Sequence, residues 1–262
     1  MTRIITAAVL APAFVLFVWY APADAFAVLA ALTAGLCFAE YAQMAASKGI
    51  STFKARGIVS AALLPAAFLS STSAVFLVAA AIVFALVLGA LAEGDSGVEA
   101  LVFSVFGVFF IGLAFSAATL IRIQPQGSKL FLLVCFATWG ADVGAYYGGR
   151  LFGRTPLAPK ISPNKTVEGF GVGVATAVLF AWIFAGFFFS SADALIVAGA
   201  GLVGGLAGPA GDLAESMLKR YFGVKDSGKI LPGHGGVFDR VDALMATAPV
   251  FYLFLALGGY LA

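Results

Sequence analysis

Long apolar runs alternate with short polar breaks along this chain, and run length carries more information than any periodicity within a run. Nine runs stand out, at about 4–20, 25–39, 58–70, 74–92, 98–121, 130–148, 170–189, 194–210 and 243–262. A hydrocarbon core of ~30 Å needs ~20 helical residues, so most of these runs are long enough to cross a bilayer. The second and third are short, which predicts tilt, an interfacial position or half of a re-entrant hairpin, and eight crossings would also fit the pattern. The expected fold class is all-α: a polytopic integral membrane helical bundle of about nine transmembrane helices. Its expected division is an N-terminal part of about five helices over 1–125 and a C-terminal membrane domain over 126–262 that carries most of the polar residues.

Composition agrees with that class, since 62% of residues are hydrophobic and only 11% are charged. The distribution of charge then orients the chain. With nine crossings, Arg3, Lys48, Lys54, Arg56, Arg150, Arg154, Lys160, Lys165, Lys219, Arg220, Lys225, Lys229 and Arg240 fall on one side, and only Arg122 and Lys129 on the other. The positive-inside rule makes the richer side cytoplasmic, the N-terminus included. Arg3, the run to Tyr20 and Ala23-Asp24-Ala25 also resemble a secretory signal, but a retained first helix keeps the basic loops on one side. A net charge of +2 without interleaved basic and aromatic residues argues against nucleic acid. Cys37 and Cys135 sit alone in apolar runs, which excludes a zinc site and disfavours a disulfide.

Two glycine patterns predict close helix packing. Gly140, Gly144 and Gly148 recur every four residues, as do the pairs Gly201/Gly205 and Gly204/Gly208, and such faces would also permit a homodimer. Gly169, Gly171 and Gly173 open an apolar run with no strand before them, so they do not form a dinucleotide-binding turn.

The chemistry concentrates in 211–242. If 212–220 continues the eighth run as a helix, Asp212, Glu215, Ser216, Lys219 and Arg220 share one face, at i, i+3, i+4, i+7 and i+8. A self-paired stripe capping a helix end is the plain alternative. Against it, Asp239 and Asp242 lie one turn apart at the start of the last run and can return beside Asp212, building an oxygen-rich site of the kind Mg²⁺ prefers. The loop between holds Gly228, Pro232, Gly233, Gly235 and Gly236, which would let backbone N–H groups approach a phosphate. Lys219, Arg220, Lys225, Lys229 and Arg240 supply more positive charge than the acids require. His234, the sole histidine, is placed either for acid–base work or to hold the loop or a phosphate.

Two further features lie upstream. Ser162-Pro163 reads as an N-cap and first helical residue, putting Asn164 and Lys165 in the first turn of a helix and making an anion site, or else a basic loop meeting lipid headgroups. Asp142 lies about two turns inside the sixth run, where a carboxylate needs a lysine, a water or another helix as partner.

The run SMLKRYFGVKDSGKILPGHGGVFDRVD over 216–242 resembles the signature of the phosphatidate cytidylyltransferases, the CDP-diacylglycerol synthases. So do Asp142 with GAYYGGRLFG, LAPKISPNKTVEGF and the GDLAES lead-in, so the resemblance covers about 138–242, whereas the N-terminal half matches by hydropathy only. It implies a nucleotidyltransferase of the cytoplasmic (inner) membrane in phospholipid biosynthesis. CTP and phosphatidic acid would be its substrates, CDP-diacylglycerol and pyrophosphate its products, and Mg²⁺, with room for a second cation, its cofactor. Asp212 and Asp239, then Glu215 and Asp242, are the metal ligands expected on this footing. The expected catalytic set is Asp142, Lys165, Lys219, Asp226, His234 and Arg240. Substrate contacts fall to Ser162, Asn164, Lys165, Ser216, Lys219, Arg220, Lys225, Gly235, Gly236 and Arg240. The rivals are another CTP-dependent membrane lipid enzyme, such as a polyprenol kinase, and an anion transporter built on broken, Gly-rich helices.

Overall fold

The computed structural model describes residues 2–70, 72–191, 193–230 and 235–261. Among these, nine α-helices follow one another: α1 (Thr2–Tyr20), α2 (Ala23–Ser47), α3 (Lys54–Ala67), α4 (Thr72–Glu93), α5 (Gly97–Arg122), α6 (Gly127–Phe152), α7 (Val167–Phe188), α8 (Ala194–Tyr221) and α9 (Phe238–Leu257). The fold is helical and polytopic, as the apolar runs predict. Phe76, Leu91, Phe187 and Leu257 leave most of their side chains uncovered by protein, as lipid-facing residues do.

The expected nine crossings are not all met. Among the described residues, six helical stretches are long and apolar enough to cross, one of them the 50-residue Ser73–Arg122 that carries α4 and α5. A single 3-10 turn over Gly94–Ser96 interrupts it, where Gly94 takes a φ of 66°. α3 has 14 residues, only about 21 Å at ~1.5 Å per residue, too short for the bilayer core. α1 runs over 19 residues, Thr2–Tyr20, within the length a crossing needs. Conversely, α2 does not stop at residue 39 but runs on through Glu40 to Ser47, because that carboxylate is buried among hydrogen-bond donors rather than left to lipid.

The chain divides into two compact units. One joins Met1–Ile123 to Lys219–Val241, the other Gln124–Leu218 to Asp242–Ala262. In the first unit, α2, α3 and α5 pack through aromatic rings seated on glycines. Phe38 lies against Gly57, and a Cβ on Gly107 would fall 2.5 Å from the Tyr41 ring. The buried Tyr41 ring meets those of Phe38 and Phe222 with centroids 5.7 Å apart, and its hydroxyl donates to the Phe103 carbonyl at 3.1 Å. Tyr41 thus excludes water while its polar atom is satisfied.

The second unit realises the glycine patterns. Gly140, Gly144 and Gly148 of α6 receive Phe180, Thr176 and Val172 of α7, and a Cβ at Gly140 would lie 2.6 Å from the Phe180 ring. Gly201 and Gly205 of α8 face α7 across Val178 and Val174, while Gly204 and Gly208 face Ala137 and Thr138 of α6. Gly169 and Gly173 do the same for α7, against the Ala145 and Ala141 carbonyls. The faces that would have permitted a homodimer are therefore filled within the chain.

A short antiparallel hairpin, β1 (Pro156–Ala158) and β2 (Ser162–Thr166), precedes α7, pairing Pro156 with Thr166 and Ala158 with Ser162. This corrects the expected helix start. Ser162 is not an N-cap, and Asn164 and Lys165 lie on a strand; Pro163 is tolerated because a two-stranded ribbon leaves it an edge position. The cap is Thr166, whose Oγ1 accepts from the Gly169 N–H at 3.1 Å. Glu168 in the first turn then accepts from the Arg154 and Thr155 N–H groups at 3.0 and 3.1 Å, fastening the entry to the hairpin.

Candidate active site

In the second unit, α8 continues through residues 212–220 as predicted, so Asp212, Glu215 and Ser216 point from one face. Gly211 lets α9 come close, since a Cβ there would lie 2.5 Å from the Asp242 carbonyl oxygen. The result is a cluster in which Asp212, Glu215 and Asp242 each offer a carboxylate oxygen, all within 4.8 Å of one another. Glu215 is 1% exposed, whereas the Asp212 side chain is 35% exposed and opens the cluster to entering groups. Lys165 reaches in from β2, its Nζ 2.6 Å from Asp212 Oδ2. The Ser216 hydroxyl donates to Asp212 Oδ1 at 3.3 Å, and the Ala243 N–H to Asp242 Oδ1 at 2.8 Å. Asp142, on α6, lies within electrostatic range of Asp212, Asp242 and Lys165.

Magnitudes show what such a cluster needs. Two carboxylates nearly 5 Å apart repel by about 3–4 kcal/mol at an effective dielectric of ~20, and one lysine offsets only part of that. The donors are all hard oxygens, as Mg²⁺ prefers, and because adjacent ligands of an octahedral ion lie about 3 Å apart, with at most one pair of three opposite at about 4.2 Å, the acids would have to close inward to hold one.

Asp239 has different surroundings. It belongs to the first unit, where Lys219 Nζ donates to its Oδ1 at 2.7 Å, with side chains only 13% and 7% exposed. Its Oδ2 accepts from the Ser227 N–H at 3.0 Å, the Ser227 hydroxyl at 2.9 Å and the Gly236 N–H at 2.9 Å. Gly235, at φ 81°, turns the chain beside it. The Gly236 N–H, expected to approach a phosphate, is thus turned onto Asp239. Arg220 is exposed and donates to the Val224 carbonyl at 3.4 Å, and Lys225, Asp226, Lys229 and Arg240 are exposed too. Ser162 is half-buried and Asn164 exposed on β2. His234, with Pro232 and Gly233, lies outside the described residues.

Sequence reasoning missed Glu40 and Ser227. Glu40 is 2% exposed, and its carboxylate accepts from the Val237 N–H at 3.0 Å, the Phe238 N–H at 2.8 Å and the Ser227 hydroxyl at 3.2 Å. A lone acid late in an apolar run was the available signal, because such residues are functional candidates by default.

Three proteins named phosphatidate cytidylyltransferase are similar to this chain. Those of Bacillus subtilis (strain 168) and Pseudomonas aeruginosa are each 40% identical over 156 residues, 59% of this chain and 58% and 57% of the relatives. That of Brucella suis is 40% identical over 152 residues, 58% of this chain and 56% of the relative. In each case the matched stretch spans little more than half of the relative. A broader match reaches across almost the whole chain: the profile of the cytidylyltransferase family covers residues 1–257, and the chain belongs to that family.

Proposed function

We propose that the protein transfers the CMP moiety of CTP to phosphatidic acid, giving CDP-diacylglycerol and pyrophosphate. The observation that carries this reading is the convergence of Asp212, Glu215 and Asp242 within 4.8 Å, with Lys165 on Asp212, in a chain of this family. In the reaction, an oxygen of the lipid phosphate attacks the α-phosphorus of CTP, the new P–O bond forms, and the bond to the β-phosphate breaks in line. Both partners are anions, so the protein must neutralise and align them rather than supply a nucleophile.

Asp212, Glu215 and Asp242 are the residues we assign to Mg²⁺, with Asp142 beside them for a second cation. Bound there, the ion would supply Lewis-acid stabilisation of the charge that builds on phosphoryl oxygens. Lys165 offsets Asp212 and is within reach to take a phosphate oxygen, while Ser216 orients Asp212. Lys219, Arg220, Lys225 and Arg240, expected at the triphosphate, belong to the first unit, where Asp239 holds Lys219. We place the protein in the cytoplasmic membrane with this chemistry on the cytoplasmic side, because crossings by α7 and α8 return the nine basic residues of 150–165 and 219–240 to one side, against Arg122 and Lys129 on the other.

The test is incubation of the purified protein with radiolabelled CTP and phosphatidic acid, with and without chelator. Lipid-linked CMP formed only without chelator is the expected result. Lipid-linked phosphate alone would make it a kinase, and no lipid product would remove the transferase reading.

A further inference from the structure

A carboxylate buried on a membrane helix is costly unless it is matched by donors. Glu40 is matched closely: Oε1 accepts from Val237, and Oε2 from Phe238 and Ser227. These donors stand at the two ends of 227–238, and the Ser227 hydroxyl is 3.2 Å from Glu40 and 2.9 Å from Asp239. The chain has also made room for the carboxylate. A Cβ on Gly228 would lie 2.5 Å from Glu40 Oε1, and one on Gly236 would lie 2.7 Å from its Cδ. Val237 and Phe238 open α9, so their N–H groups have no partner within that helix and Glu40 takes the role of a distant cap. The negative charge also suits the positive end of the helix.

We infer that Glu40 is a positioning residue, whose carboxylate clamps both ends of 227–238 and, through Ser227, sets the geometry of the Asp239–Lys219 pair. It touches neither substrate nor metal in this role. An amide cannot replace it, because its NH₂ would face an N–H or O–H donor on one side of the clamp. Of the predictions, only the kinetic one rests on the proposed reaction.

Hydrogen–deuterium exchange and steady-state kinetics on the full-length protein test the clamp. E40Q is expected to speed exchange about tenfold or more in peptides spanning 227–238, leaving α6–α7 peptides unchanged. Its kcat should fall about tenfold or more with KM for CTP moved less than threefold, and E99Q, on the exposed first turn of α5, should match wild type in both readouts. Unchanged exchange over 227–238 overturns the clamp, as does a kcat loss no larger than the unfolded fraction explains. If E40Q does not fold, S227A takes its place, expected to shift exchange in the same direction by a smaller factor; no shift overturns the inference. A wild type that makes no lipid-linked CMP removes the proposed reaction, whereas the exchange result judges the clamp by itself.

Discussion

The two units treat their acids in opposite ways. In the first, Glu40 and Asp239 are wrapped by backbone N–H groups, a serine hydroxyl and Lys219, so each charge is answered by a donor fixed in the fold. In the second, Asp212, Glu215 and Asp242 are turned toward one another, with Lys165 offsetting one of them. The first arrangement fixes backbone; the second gathers like charge, which a cation bound as proposed above would relieve. Carboxylates in one membrane protein therefore need not share a role because they lie close in sequence. Asp239 and Asp242 are three residues apart on one helix and belong to different units.

Substitutions can break or sharpen this contrast. The largest expected effect is that of D239N, which leaves Lys219 without its buried carboxylate: loss of one partner from such a pair costs about 3–5 kcal/mol. Thermal or denaturant unfolding should register the loss even in chelator, and an unchanged midpoint would erase the distinction between the units. D242N should instead cut CTP-dependent lipid labelling on the order of 10²- to 10³-fold, while leaving the chelator melting midpoint unchanged or raised because repulsion is relieved. Adding Mg²⁺ should raise the wild-type midpoint by mass action and have little effect on D242N. A smaller effect is expected from G205V, which forces a side chain against the Val174 backbone, 2.8 Å from a Cβ at that position. Overpacking of this kind costs about 1–3 kcal/mol and would be read by unfolding in detergent. The smallest is T166A, which removes the α7 cap for about 1 kcal/mol and should appear as faster amide exchange in that helix's first turn.

Much of this was legible from residues that act locally. Apolar runs located the helices because a bilayer imposes length and composition together, and the i, i+3 spacing of Asp212 and Glu215 gave their common face. Ser162-Pro163 misled because Ser before Pro suits a helix start as well as an edge strand, and only the pairing with 156–158 decides between them. α2 was cut short at residue 39 because Glu40 looks like an end when its partners are unseen. Those partners lie 197 and 198 residues away, a separation that no window of sequence can register.

That separation has a consequence for biosynthesis. Ribosomes add ~5–20 residues per second, so Glu40 emerges about 10–40 seconds before Val237 and Phe238 exist to receive it. Throughout that interval α2 carries a carboxylate whose cost at a bilayer centre is about 3 kcal/mol, which favours keeping the end of the helix near headgroups and water. A chain arrested before residue 237 would therefore leave Glu40 without its two backbone donors.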